Sequence, residues 1–266
     1  MTRRRLDQEL VRRGMAASRE EARTAVLAGI VTVAGRPADK PARLVDESEP
    51  LHLEGPAKRF VSRGGEKLDA ALERFPVDPT DRACLDAGAS TGGFTDVLLH
   101  RGAARVCALD VGYGQLAWSL RTDPRVVVLE RVNARTLAPG SLPFVPSVVV
   151  ADLSFIPLAV VAPALIAVAA PEADLVLLVK PQFELEPDAV GRGGVVRDPD
   201  GWRRAVRAVV ETCRAHGAGP QDVMASPIAG PAGNVEFLVH ARRGADPRDL
   251  PIEATIEAAT AIGGAA

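Results

Sequence analysis

The sequence has few cysteines, and their arrangement excludes two classes of protein. Cys84, Cys107 and Cys213 are odd in number and widely spaced. They match no zinc-binding pattern and cannot form a disulfide framework. We therefore expect a protein of the reducing cytosol, with no metal site and no dependence on disulfide bonds.

Apolar segments of membrane length are also missing. The residues after Met1 include no apolar core segment, so no signal peptide is expected. The most hydrophobic stretch, 153–170, contains Ser154, Pro157 and Pro163, which favours a buried helix over a membrane span. These absences predict a cytoplasmic protein without a membrane partner.

Lysine is the third scarcity. The 32 basic residues comprise 28 arginines and only four lysines: Lys40, Lys58, Lys67 and Lys180. A codon bias towards arginine explains the small number. It does not explain the positions, so each retained lysine is a candidate for a role that needs an amine.

What the sequence does contain suits a globular protein with an uneven charge. It is 266 residues long, 47% hydrophobic and 25% charged, which is enough for one ordinary domain and a second small one. Residues 1–45 include ten basic and five acidic side chains, whereas the whole chain has a net charge of −2. A basic N-terminal head on an acidic body indicates that the head binds an anion.

The head is predicted to contain two helices followed by short strands. Apolar residues at helical spacing form the first helix, and a capping box of Ser18 and Glu21 opens a second over 19–28. β-rich runs at 30–33 and 51–53 predict strands. The arginines of this segment either form a solvated face or bind an RNA backbone.

This order of elements resembles the small RNA-binding fold named after ribosomal protein S4. The matching segments are Arg5-Leu6-Asp7, 17–22, 28–35 and Lys40-Pro41. The resemblance implies an RNA-binding domain over 1–57, with Arg5, Arg19 and Lys40 among the residues that hold the RNA. Residues 58–63 would form an interdomain linker, and 64–266 a second domain.

From Cys84 onwards, strands and helices alternate, which predicts an α/β fold with a doubly wound, Rossmann-like parallel sheet. Residues 84–95 form a strand, a glycine-rich turn and the start of a helix. The next strand ends in Asp110, where a carboxylate can accept hydrogen bonds from ribose hydroxyls. Asn133 follows a third strand, at a position where it could contact an adenine edge.

The spacing of the glycines distinguishes between two cofactor classes. Gly88, Gly92 and Gly93 give G-x-x-x-G-G, and not the G-x-G-x-x-G of dinucleotide-binding folds. The segment resembles the cofactor loop of S-adenosylmethionine-dependent methyltransferases. That resemblance implies a cofactor-binding set of Asp86, Gly88, Ser90, Thr91, Gly92, Gly93, Phe94, Asp110, Asn133 and Asp152.

Ionisable residues at further strands suggest the chemistry. Asp152 and Lys180 follow apolar strands, and Glu236 falls within a third apolar run over 235–239. Lys67 begins a helix before the sheet. Each acid could instead be an ordinary helix cap or a surface partner, but a lysine at the end of a buried strand is uncommon.

An amine can lose its proton in an enclosed site, whereas a guanidinium cannot. Lys180 is therefore predicted to be a general base that removes the proton of an attacking hydroxyl. A second ammonium, Lys67, would favour the neutral amine, while Asp152 and Glu236 would orient the two amines and oppose that effect by their charge. The residues alone do not decide which effect is larger.

The order Lys67, Asp152, Lys180, Glu236 resembles the K-D-K-E tetrad of FtsJ-type ribose 2′-O-methyltransferases. Segments 60–68, 85–96, 110–116, 151–156, 179–184 and 233–237, together with the head, are similar to the TlyA family across about residues 3–243. The resemblance implies an S-adenosylmethionine-dependent methyltransferase of cytidine ribose in 16S and/or 23S ribosomal RNA, acting on ribosomal subunits. The alternatives are a membrane-active haemolysin, as the family is often labelled, and a non-catalytic ribosomal RNA-binding protein.

Overall fold

The computed structural model describes residues 3–16, 18–53 and 59–263. Lys58, the first residue of the predicted linker 58–63, lies outside these ranges. No helix within the described ranges combines the length and apolar character that a bilayer-crossing segment requires.

The head is a small α+β unit with its own core. Its elements are β1 (Arg4–Arg5), α1 (Leu6–Arg12), α2 (Arg19–Leu27), β2 (Val31–Val33), β3 (Arg36–Pro37), β4 (Leu44–Val45) and β5 (Leu51–Leu53). β1 pairs antiparallel with β4, and β2 lies between β3 and β5. Leu6, Leu10, Val26 and Val31 are fully buried between the helices and the strands.

The predicted start of the second helix is confirmed in atomic detail. The Ser18 hydroxyl accepts a hydrogen bond from the Glu21 backbone N–H at 3.2 Å, which satisfies one of the free donors of the first turn. Gly29 follows the helix with a φ of +72°, a left-handed conformation that favours glycine. This local chemistry ends α2 and turns the chain into β2.

The body is a seven-stranded sheet covered by helices on both faces. Its strands are β6 (Ala83–Ala87), β7 (Arg105–Asp110), β8 (Val126–Glu130), β9 (Val148–Ala151), β10 (Asp174–Val179), β11 (Ala218–Ala225) and β12 (Phe237–Arg243). Its helices are α3 (Gly64–Arg74), α4 (Gly93–His100), α5 (Trp118–Arg121), α6 (Leu158–Val168), α7 (Pro181–Glu184), α8 (Pro199–Ala215) and α9 (Ile252–Gly263). Short 3-10 helices lie at Ala134–Thr136, Pro187–Ala189 and Arg192–Gly194.

The sheet order is β11-β12-β10-β9-β6-β7-β8, and β10 to β8 run parallel. Val148, Val150, Val176 and Leu178 face one buried layer, and their sequence neighbours face the other. Strands buried on both faces consist of continuous apolar runs, as observed here. The predicted α/β class with a Rossmann-like sheet and a small α+β head is confirmed.

β12 differs from the sequence-based prediction. The apolar run was expected to form a strand over 235–239 with Glu236 inside it, but β12 begins at Phe237 and runs antiparallel to β10 and β11. The start of an antiparallel strand lies at the same edge of the sheet as the ends of its parallel neighbours. Glu236 thereby reaches the edge at which β9 and β10 end.

Candidate active site

A cavity of about 290 Å³ lies at the edge where β6, β9 and β10 end. This is the position at which open parallel sheets bind their ligands. The lining includes all four residues of the predicted tetrad and much of the glycine-rich loop: Lys67, Gly88, Ser90, Thr91, Gly93, Phe94, Asp152, Lys180 and Glu236. Ser62, Arg63, Gly64, Ala89, Ser154, Ile228, Ala229 and Pro231 complete it.

Lys180 and Asp152 form the first of two ion pairs in this cavity. Nζ of Lys180 lies 2.6 Å from Oδ1 of Asp152, a close charge contact whose orientation is not that of a directed hydrogen bond. Nζ also donates to the Ser154 hydroxyl at 3.0 Å. Two neighbours on the loop after β9 therefore fix the lysine amine at the edge of the sheet.

Lys67 and Glu236 form the second pair and are more deeply buried. Lys67 lies in the first turn of α3, and its ammonium donates to Oε2 of Glu236. The two side chains are only 8% and 1% exposed. Burial raises the pKa of Glu236 above its ordinary value, although the neighbouring Lys67 charge acts in the opposite direction. Each amine of the tetrad thus has its own carboxylate partner.

Four contacts besides the Lys180–Asp152 pair join the segment after β10 to the loop after β9 and the start of α6. Besides the Lys180–Ser154 hydrogen bond, the Glu184 carboxylate accepts hydrogen bonds from the N–H groups of Leu158 and Ala159 at 2.6 and 3.3 Å. The rings of Phe155 and Phe183 lie 5.2 Å apart between their centroids. The pair of Lys180 and its carboxylate is consequently held by two chain segments that support each other.

Phe155 is unusual in both exposure and backbone conformation. Its side chain is 91% exposed, and its φ of +63° is rare for a bulky residue. It directly follows Ser154, which lines the cavity. An exposed aromatic ring at this place is suited to stacking on an unpaired nucleic-acid base.

The glycine-rich loop links β6 to α4 as predicted. Gly88 and Gly92 have φ values of +87° and +100°. A Cβ on Gly88 would collide with the backbone carbonyl of Asp152, and one on Gly92 would collide with Leu120. These two positions therefore require glycine, because the loop is left-handed and closely packed there.

Asp86 lies beneath this loop and is completely buried. Its Oδ2 accepts a hydrogen bond from the Thr95 hydroxyl at 2.7 Å, while Oδ1 has no partner among the described residues. Burial raises its pKa to about 7. It supports the loop from below and is not among the residues that line the cavity.

A second, smaller cavity adjoins the other side of Ser90 and is built around Asp110. Its lining residues are Ala89, Ser90, Ala108, Asp110, Gly112, Tyr113, Gln115, Leu116, Val128 and Glu130. The Asp110 carboxylate accepts hydrogen bonds from the N–H groups of Ser90 and Gly112 at 2.8 and 2.6 Å. One carboxylate thus joins the glycine-rich loop to the turn after β7.

The structure does not bring every predicted cofactor residue to these cavities. Asn133 is exposed, and its side-chain oxygen accepts a hydrogen bond from the Arg135 N–H at 3.0 Å as a local helix cap. Gly92 shapes the loop without lining either cavity. The expected contact of Asn133 with adenine therefore stays a prediction without support from its position.

Sequence reasoning assigned no role to Ser154, Glu184, Gln115 or Glu130. Ser154 follows Asp152 by two residues, and Glu184 follows Lys180 by four. Since the two strands were expected to end side by side, this spacing could have indicated that both residues lie near the site. Gln115 and Glu130 could not be recognised from the sequence in this way, because their position near Asp110 depends on how the turn 111–117 folds back. Glu130, for example, accepts a hydrogen bond from the Gly114 N–H at 2.8 Å.

In the head, two of the three predicted RNA-binding residues converge. Arg5 and Arg19 both donate to the Asp7 carboxylate and line a groove of about 540 Å³. Lys40 is exposed and lies beside Pro41, which lines the groove, but is not itself part of the lining. The structure therefore brings Arg5 and Arg19 together, whereas Lys40 adjoins their groove only as the sequence neighbour of Pro41.

The chemistry of the body site fits a nucleoside cofactor with a positive centre. The Asp152 carboxylate supplies negative charge close to the glycine-rich loop, and the Asp86 oxygen that has no partner among the described residues lies beneath that loop. Asp110 offers an acceptor for hydroxyl groups, and the start of α4 presents backbone N–H groups. Fold and site together define a Rossmann-like enzyme with a lysine–carboxylate centre beside its cofactor loop.

The chain belongs to the FtsJ-like methyltransferase family, which it matches over residues 60–243, and an S4 domain matches residues 4–51. It is 54% identical over 243 residues to the 16S/23S rRNA (cytidine-2′-O)-methyltransferase TlyA of Mycobacterium tuberculosis, covering 91% of each chain. The expected membership of the TlyA family is thus confirmed, and the chain is a methyltransferase.

Relatives with a different name share the same architecture. Hemolysin A of Brachyspira hyodysenteriae is 38% identical over 89% of this chain and 98% of its own length. The solved structure of a hemolysin-named protein from Streptococcus thermophilus has a TM-score of 0.78 and 37% identity, covering 100% of this chain and 98% of that one. Because these relatives extend over both the head and the body, the hemolysin name accompanies the same fold.

Proposed function

We propose that this chain is an S-adenosylmethionine-dependent 2′-O-methyltransferase that acts on cytidine ribose in ribosomal RNA, in the 16S and/or the 23S molecule. The observation that carries this proposal is the meeting of two lysine–carboxylate pairs and a glycine-rich loop in one cavity. The named activity of the Mycobacterium tuberculosis relative agrees with it.

The cofactor would be held by residues of both cavities. The backbone at Gly88, Ser90 and Gly93 would contact it, and Asp110 would accept hydrogen bonds from its ribose. S-adenosylmethionine supplies a methyl group on a positively charged sulfur. Asp152 would contribute negative charge beside that centre, and Asp86 would add to it from below the loop where it is ionised, above its pKa of about 7.

Lys180 would act as the general base of this reaction. The ribose 2′-hydroxyl must lose its proton as its oxygen attacks, and the neutral amine of Lys180 would accept that proton on Nζ. Asp152 and Ser154 hold Nζ at the cavity wall. Lys67 and Glu236 form the second, more deeply buried pair of the same cavity and would help to orient the substrate.

The head would supply affinity for the RNA. Arg5 and Arg19 present guanidinium groups to a groove, and guanidinium groups bind phosphates through several N–H donors. Lys40 would add charge beside them. A ribosomal RNA substrate also implies that the protein works in the cytoplasm, on ribosomal subunits or their precursors.

The proposal is tested with Lys180→Ala in a transfer assay that uses tritium-labelled methyl groups and ribosomal RNA. We expect methyl transfer to be abolished and RNA affinity in filter binding to change little, because Lys180 lies in the body cavity. Normal transfer by the variant would contradict the assigned base. Mapping methylated riboses in cells with and without the protein identifies the nucleotide.

Two other outcomes would replace the proposal. Lysis of membranes by purified, lipid-free protein would support a haemolysin. Failure of the intact chain to bind S-adenosylmethionine in calorimetry, with RNA binding retained, would indicate a non-catalytic RNA-binding protein. Both measurements use the same preparation as the transfer assay, so the three functions are compared directly.

A further inference from the structure

Asp7 is a buried acid in a surface built to bind an anion. It lies in the first turn of α1, and its side chain is 5% exposed. The groove beside it is lined by three arginines, Arg5, Arg19 and Arg23, together with Glu20. The negative charge of Asp7 weakens the attraction of this groove for phosphate. Its presence there therefore needs another explanation.

The contacts of Asp7 indicate that purpose. Nε and Nη2 of Arg5 donate to its two carboxylate oxygens at 3.0 and 2.8 Å, and Nη2 of Arg19 donates to Oδ2 at 3.4 Å. The backbone N–H of Asp7 is itself bound to the Pro41 carbonyl at 3.0 Å. One fixed carboxylate thus joins arginines from β1 and from α2.

Both arginines keep donors for a ligand. A guanidinium has five N–H groups, of which Arg5 uses two and Arg19 one on Asp7. Their side chains remain 42% and 58% exposed. Because free arginine side chains lose conformational entropy when they bind, arginines already held in place bind a phosphate with a smaller entropic cost.

Glu9, the other buried acid of α1, also binds two arginines, but not at the groove. Glu9 accepts hydrogen bonds from Arg12 and Arg13. Arg13 then donates to the backbone carbonyls of Glu47 and Glu49 at 2.9 and 2.8 Å. That cluster ties parts of the head to one another, whereas the Asp7 cluster faces a groove.

We propose that Asp7 is a positioning residue, which holds the guanidinium groups of Arg5 and Arg19 in the orientation that binds a phosphodiester of the RNA. The inference rests on the proposed function, since it takes ribosomal RNA as the ligand of the head. Asp7 also lines the groove, but its role in this proposal is to hold the two guanidinium groups and not to bind the phosphate itself.

The test depends on whether Asp7→Asn weakens or strengthens RNA binding. Asp7→Asn removes a negative charge from the groove, so electrostatics alone predicts tighter RNA binding. A positioning role predicts weaker binding, by about threefold to tenfold, because the arginines lose their fixed orientation. Affinity for ribosomal RNA is measured with the full chain by filter binding over a range of salt concentrations.

Glu20→Gln is the matched control. Glu20 lines the same groove and makes no ion pair with an arginine among the described residues, so this change should leave affinity equal or slightly higher. Asp7→Glu keeps the carboxylate and should recover part of the loss. The Arg5→Ala, Arg19→Ala double variant should bind more weakly than Asp7→Asn, with a salt dependence reduced by about two phosphate contacts.

Unaltered or tighter binding by Asp7→Asn, alongside weak binding by the double arginine variant, would overturn the positioning role and leave the proposed function intact. Unchanged binding by the double variant would instead overturn the RNA-binding role of the groove. Amide hydrogen exchange of α1 and α2 separates loss of the fold from loss of orientation. Weaker binding with native exchange supports the proposal, and loss of protection together with weak binding overturns it.

Discussion

Head and body both use buried carboxylates to hold cations, but they expose different groups as a result. In the head, Asp7 and Glu9 are buried and their arginine partners reach the surface. In the body, Lys67 and Glu236 are buried together, and Lys180 lies against Asp152 at a cavity wall. The head thus presents arginine, whose charge is permanent, whereas the body site contains lysine, whose amine is able to lose a proton.

The carboxylates differ in the same way. The Arg12 hydrogen bond lowers the pKa of Glu9 to about 2 despite its burial. Asp86 is far deeper in the molecule, inside the body sheet, and has no cationic partner among the described residues; burial raises its pKa to about 7. The depth of burial and the presence of a bound cation therefore both determine the charge of an acid in this molecule.

Lys180→Arg is the strongest test of the difference between the lysines of the body and the arginines of the head. This change keeps the positive charge beside Asp152 but removes a group that can lose its proton. We expect the rate of methyl transfer in single-turnover assays to fall by about 10²–10⁴-fold, the usual contribution of a general base. RNA affinity should stay within a few-fold of the original, and transfer at the normal rate would show that only the charge matters.

The pH dependence of stability should distinguish the two carboxylates. The raised pKa of Asp86 means that the folded chain holds its proton between about pH 4 and 7 when the unfolded chain does not. Its contribution to stability is therefore lost as pH rises through this window, on the order of 4 kcal/mol relative to Asp86→Asn. Glu9 has a lowered pKa, so its contribution should be lost only as pH falls from about 4.5 to 2.

Urea unfolding of the original chain, Asp86→Asn and Glu9→Gln at several pH values measures both effects. The Thr95 hydroxyl can still donate to the amide oxygen that Asp86→Asn introduces, so this variant preserves the local hydrogen bond. If the stability difference between Asp86→Asn and the original chain did not change with pH, the pKa of Asp86 would not be raised. That result would contradict the burial of this carboxylate without a counter-charge.

The smallest effect is expected from the reciprocal exchange in the head, Arg19→Lys. Lysine keeps the charge that attracts a phosphate but presents it as a compact ammonium. Arg19 makes one long contact with Asp7, so we expect RNA affinity to fall only about twofold to fivefold, with methyl transfer at saturating RNA unchanged. If Arg19→Lys lowered the rate of methyl transfer as much as Lys180→Arg does, the head and the body would not differ in the way described.

Much of the architecture could be predicted from local patterns. The run Val148–Ala151 is a strand with the predicted bounds, and the capping box of Ser18 starts α2 where expected. Strong periodicity and caps act over a few neighbouring residues, so they are readable without the fold. By contrast, β11 was not predicted, because an edge strand with Gly219 and Pro220 has little β-rich character.

Long-range partnerships were harder to predict. The sequence placed Lys67, Asp152, Lys180 and Glu236 in one site through their resemblance to a family pattern. It could not show that each lysine pairs with a different carboxylate, since that depends on the antiparallel direction of β12. The contact between Asp7 and Arg19 was equally difficult to predict, because Arg19 reaches Asp7 from another helix.

The direction of β12 also affects the order in which a newly made chain becomes competent. Residues up to 53 complete the elements of the head, but Glu236 reaches Lys67 only after most of the body has been synthesised. At about 5–20 residues per second, this interval is roughly 10–40 seconds. During translation, all residues of the head are therefore present well before the Lys67–Glu236 pair can form, and a chain that stops early would have the head without the complete lysine–carboxylate site.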